Sequence, residues 1–163
     1  MPIAKMLLPE WENEMRNTRR ALERVPADRL DFRPHELSWT LGELATHVAY
    51  LPRWVTVALT TDELDLADTP PNRAVGSTGE LLAAFEANIA KGTEALSSSS
   101  DETFGSPWTL RKDGHVVFTM PKAAVIRSFV MNHIIHHRGQ LTIYLRLVGA
   151  KVPGLYGPSA DEV

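Results

Sequence analysis

The chain has 163 residues, 44% hydrophobic and 23% charged, the composition of an ordinary globular protein able to bury a core without staples. It has no cysteine, which excludes disulfides, thiolate metal ligands and a cysteine nucleophile and fits a reducing compartment. The formal net charge is −3 with Lys and Arg scattered along the chain, so no footprint for a phosphate backbone exists and nucleic-acid binding is not expected.

The N-terminus, MPIAKMLLPEWENEM, has only a short apolar patch before charged residues. Neither a secretory segment nor a membrane span is expected, and the cytoplasm is the expected location. From about Ala4 to Val25, residues Met6, Leu7, Trp11, Met15, Thr18 and Leu22 recur at three- and four-residue steps, the pattern of an amphipathic helix. Arg16, Arg19 and Arg20 alternate there with Glu12, Glu14 and Glu23 and read as a solvated face.

VPADRLDFRPHELSW follows as a connector without a sustained period. Thr40 and Glu43 form a T-x-x-E capping box that opens a second helix, TLGELATHVAYLPRWVTVALT. Pro52 is expected to kink it, because the ring displaces the bond to the Val48 carbonyl. The acidic, proline-bearing DELDLADTPPNRAVG reads as a loop.

Ser77 and Glu80 make a second capping box before a third helix, TGELLAAFEANIAKGTEALSS, and Ser97 to Ser100 read as a turn or short connector. In WTLRKDGHVVFTM, Asp113-Gly114 between two runs of β-type residues signals a hairpin. Pro121 suits the first turn of a fourth helix, KAAVIRSFVMNHIIHHRGQLTIYLRLVG, which Gly149 stops. The expected fold is therefore all-α, a four-helix bundle with a small β-hairpin between the third and fourth helices. The tail AKVPGLYGPSADEV reads as a decoration, with Asp161 and Glu162 solvated.

His133 and His137, four apart, share one face of the fourth helix with Ile126, Val130, Leu141, Tyr144 and Val148, the core-facing stripe. His47 shares a face of the second helix with Leu44, Leu51 and Ala58 and also points inward. Two inward histidines from one helix and one from another are what a mononuclear site in a bundle requires. A lone histidine on an apolar face is more often a hydrogen-bonded core residue, and H-x-x-x-H alone has many false positives, so spacing leaves both readings open.

Ile134, not glutamate, follows His133, so this is not the H-E-x-x-H metalloprotease arrangement. A tri-histidine site keeps the full charge of a divalent ion, which favours acidifying bound water or binding a thiolate or carboxylate. His136 falls on the helix flank, although a His133/His136 pair is sterically open, and His35 and His115 read as solvated. The four tryptophans read as packing residues, with Trp39 placed to line the site. Glu43 is a candidate acceptor orienting His47, beside its capping role. Arg138 reads as a surface ion pair or a contact for an anionic substrate.

The segments HIIHHRGQL, LSWTLGELATHVAYLPRW and GAKVPGLYGPSADE together resemble the DinB/YfiT-like family of metalloenzymes, over the whole chain. The resemblance is most specific in H-x-x-x-H-R-G-Q followed by G-x-x-V-P…G-P-S-x-D-E. It implies a single four-helix-bundle domain over residues 1–163, with a divalent metal, zinc or nickel, held by His47, His133 and His137. His136 is outside that pattern.

Some members are S-transferases using a low-molecular-weight thiol such as bacillithiol, mycothiol or glutathione, and others are thiol-dependent isomerases. The leading expectation is therefore a metal-dependent enzyme of thiol-transfer type, acting on a small-molecule electrophile, with a homodimer implied by the resemblance. Neither nucleic acid nor membrane is an expected partner. The alternatives are a metal-dependent hydrolase, a non-enzymatic metal- or ligand-binding stress protein, and a structural helical domain with core histidines.

Overall fold

Helix α1 (Ile3–Leu22) buries Ala4, Trp11, Met15, Thr18 and Leu22, one stripe at steps of three, four and seven residues. Met6, expected in that stripe, is 63% exposed and lies outside it. The structure, a computed structural model, describes residues 2–70 and 75–162; the expected loop at residues 71–74 lies outside the described residues.

The second helical pattern forms two helices, α2 (Leu41–Tyr50) and α3 (Arg53–Thr60). Both bonds of the expected capping box are present at the start of α2, from the Thr40 amide to Glu43 Oε2 (2.7 Å) and from the Glu43 amide to Thr40 Oγ1 (3.1 Å). At Pro52 the helical path is disturbed as expected and divides into these two helices, although Leu51 and Pro52 keep right-handed helical dihedrals. The proline has no N–H to donate, and tighter bonds from Trp54 to the Leu51 carbonyl and from Val55 to the Pro52 carbonyl turn the chain. Asn88 satisfies the Ala49 carbonyl at 3.1 Å across the interface.

Helix α4 (Thr78–Ser98) spans the expected third helix, and Ser77 caps it by accepting from the Glu80 amide at 3.1 Å. The serine run has two tasks. Ser97, Ser98 and Ser99 bond back to carbonyls four residues earlier, and Ser100 caps a short helix α5 (Asp101–Gly105) that the periodicity does not reveal.

The expected hairpin is present as β2 (Pro107–Lys112) and β3 (His115–Pro121), with Asp113 (φ 52) and Gly114 (φ 77) both left-handed as a type I′ turn demands. It is not a hairpin alone. Strand β1 (Glu63–Asp65) pairs parallel to β2, giving a mixed three-stranded sheet in the order β1-β2-β3. The Asp65 carboxylate holds the new strand to the turn by accepting from the Asp113 and Gly114 amides at 3.0 and 2.6 Å.

The fourth helical pattern is also composite. Pro121 ends β3 and precedes α6 (Lys122–Ala124), a π-helical segment spans Val125–Met131, and α7 (Asn132–Leu147) follows. In an i→i+5 winding, residues five apart lie above one another. Val125 and Val130, Ile126 and Met131 are accordingly all buried. Gly149, at φ 77, ends the element as expected.

Helix α4 packs on α1, α2 and α3, while α7 packs on α1 and α2. The α1–α4 approach is close at Gly92, where an added Cβ would meet the Trp11 ring at 3.0 Å, and the Trp11 indole donates to Thr93 Oγ1 at 2.9 Å. The chain is thus mostly helical, with one small mixed sheet among the described residues. No described helix is long and apolar enough to cross a membrane.

One surface expectation is corrected by burial. Arg138 is 1% exposed and pairs with the buried Glu14 at 2.7 Å, and it also donates to the Glu14 carbonyl, Thr18 Oγ1 and the Tyr156 hydroxyl. Tyr156 in turn donates to Glu14 Oε2 at 2.7 Å and lies over the guanidinium at 5.2 Å.

The acids of the tail are tied to the body of the protein rather than free. Asp161 pairs with Arg146 (2.7 Å) and accepts from the Val152 amide (2.8 Å), while Glu162 pairs with Arg20 (2.9 Å) and accepts from the Gly154 amide (2.8 Å). Glu14→Leu leaves Arg138 buried without its carboxylate and is expected to cost about 3–5 kcal/mol in urea unfolding. Adding Arg138→Met should restore most of that loss; two additive losses would show that the pair is not coupled.

Candidate metal centre

His47 occupies the last turn of α2, just before the break at Pro52. His133 is the second residue of α7, directly after the π segment, and His137 follows one turn later. The α2–α7 packing brings all three together. Their ring centroids are 5.1 Å apart for His47 and His133, 4.6 Å for His47 and His137, and 4.7 Å for His133 and His137.

Nε2 of His47 faces Nε2 of His133 at 3.3 Å, and the ligand nitrogens of all three lie within 4.8 Å of one another. Two nitrogens each about 2.0–2.1 Å from a tetrahedral ion sit about 3.3–3.4 Å apart, so the first pair already has the spacing that zinc would impose. The donor set fits a divalent ion.

Electrostatics keep these rings neutral. Burial is the main cause at each, and mutual repulsion adds to it: His47 is lowered to about 4 by burial, then by His137, His133 and Arg53. His133 is lowered to about 4 by burial, then by His137 and His136. His137 is lowered by burial too, against an opposing hydrogen bond to Gln140.

That bond, 2.7 Å from Nδ1 of His137 to Gln140 Oε1, fixes the tautomer. A carbonyl oxygen only accepts, so the proton is on Nδ1 and the lone pair on Nε2.

Trp39 lines the cluster as expected, stacked on His137 at 5.5 Å and 25° and lying 4.9 Å from His47. Phe129, from the π segment, covers His133 at 5.6 Å. His136 is exposed and outside the cluster, as are His35 and His115. Glu43 does not orient His47: its carboxylate accepts from the Thr40 amide and faces Arg33 at 3.5 Å.

A cavity of about 460 Å³ opens beside His137, between Pro34, Leu37, Ser38 and Trp39 of the connector and Gln140, Ile143 and Tyr144 of α7. A second, of about 220 Å³, lies by Arg53 and Trp54. Arg53 is half-buried and has no ion pair among the described residues, and its charge bears on His47. Sequence reasoning missed Gln140 and Arg53. Gln140 was open to discovery, being one helical turn from His137; Arg53, six positions from His47, would face away on an unbroken helix.

A model of the DinB family matches residues 1–163. The uncharacterized protein YrdA of Bacillus subtilis (strain 168) is 28% identical over 159 residues, which cover 95% of this chain and 89% of that protein. The crystal structure of a DinB-like protein from Bacillus cereus ATCC 10987 superposes with a TM-score of 0.73 at 24% identity, covering 91% of this chain and 95% of the other. The DinB-like YjoA of Bacillus subtilis superposes with the same TM-score, 0.73, at 16% identity, covering 94% and 99%. These two likenesses concern the fold, and the match to the family model is complete in length: the chain belongs to the DinB family.

Proposed function

We propose that this protein is a divalent-metal-dependent enzyme in which His47, His133 and His137 hold zinc or nickel and a low-molecular-weight thiol is transferred to a small electrophile. The observation that carries the reading is the convergence of three neutral imidazoles beside an open cavity, one of them with its tautomer fixed by Gln140. In the same reading the helices form a four-helix bundle, with α2 and α3 as halves of its second helix and α6 to α7 as its fourth.

Bound by three neutral ligands, such an ion supplies undiminished positive charge that favours a thiolate over a thiol at its open position. The chain's own residues arrange the rest. Gln140 holds the Nδ1 proton of His137, and Trp39 and Phe129 cover the imidazoles against water. Arg53, beside the cluster and without an ion pair among the described residues, offers a cation to an anionic group of the thiol. The nucleophile must come from outside, since the chain has no cysteine. Transfer forms the carbon–sulfur bond as the bond from that carbon to the electrophile's leaving group breaks, the leaving group departing with the electron pair and the thiol proton passing to solvent.

Elemental analysis of purified protein should give about one metal per chain, falling to a small fraction in His47→Ala and His137→Ala. With a thiol panel and a model electrophile, the metal-loaded protein should accelerate transfer while His137→Ala stays at the uncatalysed rate. Equal rates remove thiol transfer by this site. Turnover of esters without thiol, lost on chelation, would replace it with hydrolysis.

Metal loading should also resist acid. A histidine whose folded value is depressed to about 4 keeps its lone pair free above that value. Occupancy should therefore hold from pH 7 to about pH 5 and fall as pH approaches 4. Equilibrium dialysis across that range checks this, and a loss centred on the ordinary histidine value would show that the rings titrate as free imidazoles.

A further inference from the structure

We propose that the cavity beside His137 receives an uncharged, largely apolar molecule carrying a carbonyl-type acceptor, the electrophile of the transfer reaction. The proposed thiol-transfer reading supplies the role of the bound molecule, but its binding follows from the walls alone.

Among the described residues no Lys, Arg, Asp or Glu lines the cavity. The arginines near it are already engaged: Arg33 faces Glu43, Arg146 pairs with Asp161, and Arg138 turns inward to Glu14. In metal-free protein a carboxylate or phosphate entering here would lose water and gain no cation from the described walls.

Apolar ligands meet the opposite situation. Leu37 is 87% exposed, Ile143 62% and Trp39 45%, three large apolar side chains held in water around one concavity. Such a rim is the signature of a ligand site, and a volume of about 460 Å³ is that of a small-molecule pocket. The Trp39 indole, stacked against His137, provides a planar face that leads to the histidine cluster.

The polar groups of the wall specify an acceptor. Gln140 Oε1 is occupied by His137, which leaves the amide N–H donors of Gln140 without a partner among the described residues. The Ser38 hydroxyl is likewise unbonded among the described residues, while the Tyr144 hydroxyl donates to the Trp39 carbonyl at 3.1 Å. A neutral carbonyl compound would take the two free donors and rest its apolar body on Trp39, Leu37 and Ile143.

The test compares methyl naphthyl ketone with the same ketone bearing a ring carboxylate, by calorimetric titration at about pH 8. Wild type and Ile143→Lys are each measured metal-loaded and after chelation. The deciding ratio is that of chelated protein: wild type should then bind the neutral ketone at least about tenfold tighter, and Ile143→Lys should cut that ratio at least about threefold by supplying the missing cation. Trp39→Leu should weaken the neutral ketone. Equal or tighter binding of the carboxylate to chelated wild type, an unchanged ratio in Ile143→Lys, or no measurable binding of the ketone overturns the assignment. A preserved preference in protein that holds no metal removes the proposed centre and leaves this inference standing; bound metal without a preference after chelation does the reverse.

Discussion

The rotation of α7 about its own axis is the constraint on which the rest of the site depends, and the buried pair between Arg138 and Glu14 sets it. Residues 137 and 138 are neighbours, so their side chains leave the helix about 100° apart. Arg138 is drawn toward α1 and the C-terminal segment by Glu14, Thr18 and Tyr156. That choice leaves His133 and His137 facing α2, where His47 meets them. A buried charge pair is weak evidence of stabilisation over an apolar pair of the same size. Its value here is directional, because an alternative rotation would bury a guanidinium with nothing to accept from it.

Much of this was legible locally, and for definable reasons. The bounds of α4 follow from Ser77 at one end and a serine run at the other, both acting on backbone groups within four residues. Helical spacing plus an apolar surround within α2 and α7 marked the three histidines as inward candidates and left a core-histidine reading open, and the family resemblance implied them as one set. Arg138 was unreadable for the opposite reason: its carbonyl acceptor in Glu14 is 124 residues away, and beside two histidines an arginine looks like surface charge. Strand β1 is three residues long and held by Asp65 to amides 48 and 49 positions later, a tie that leaves no trace in periodicity. The π segment VIRSFVM is made of residues equally at home in an α-helix, so only packing distinguishes the two windings.

The site divides its electrostatics by side. Around His47 and His133, burial and close neighbours keep imidazoles uncharged while Arg53 remains a nearby cation. On the His137 side, the nearby arginines are paired with acids and no charged side chain lines the cavity among the described residues.

The π segment lies between two anchors that do not move independently of the fold, the sheet ending at Pro121 and the Arg138 lock on α7. Each π turn absorbs one residue more than an α turn would, so the segment works like a vernier. It reconciles the phase in which the chain leaves the sheet with the phase at which the histidines must arrive. A one-residue insertion or deletion ahead of the histidines would be absorbed by trading π winding for α winding, with His133 and His137 still delivered to face α2.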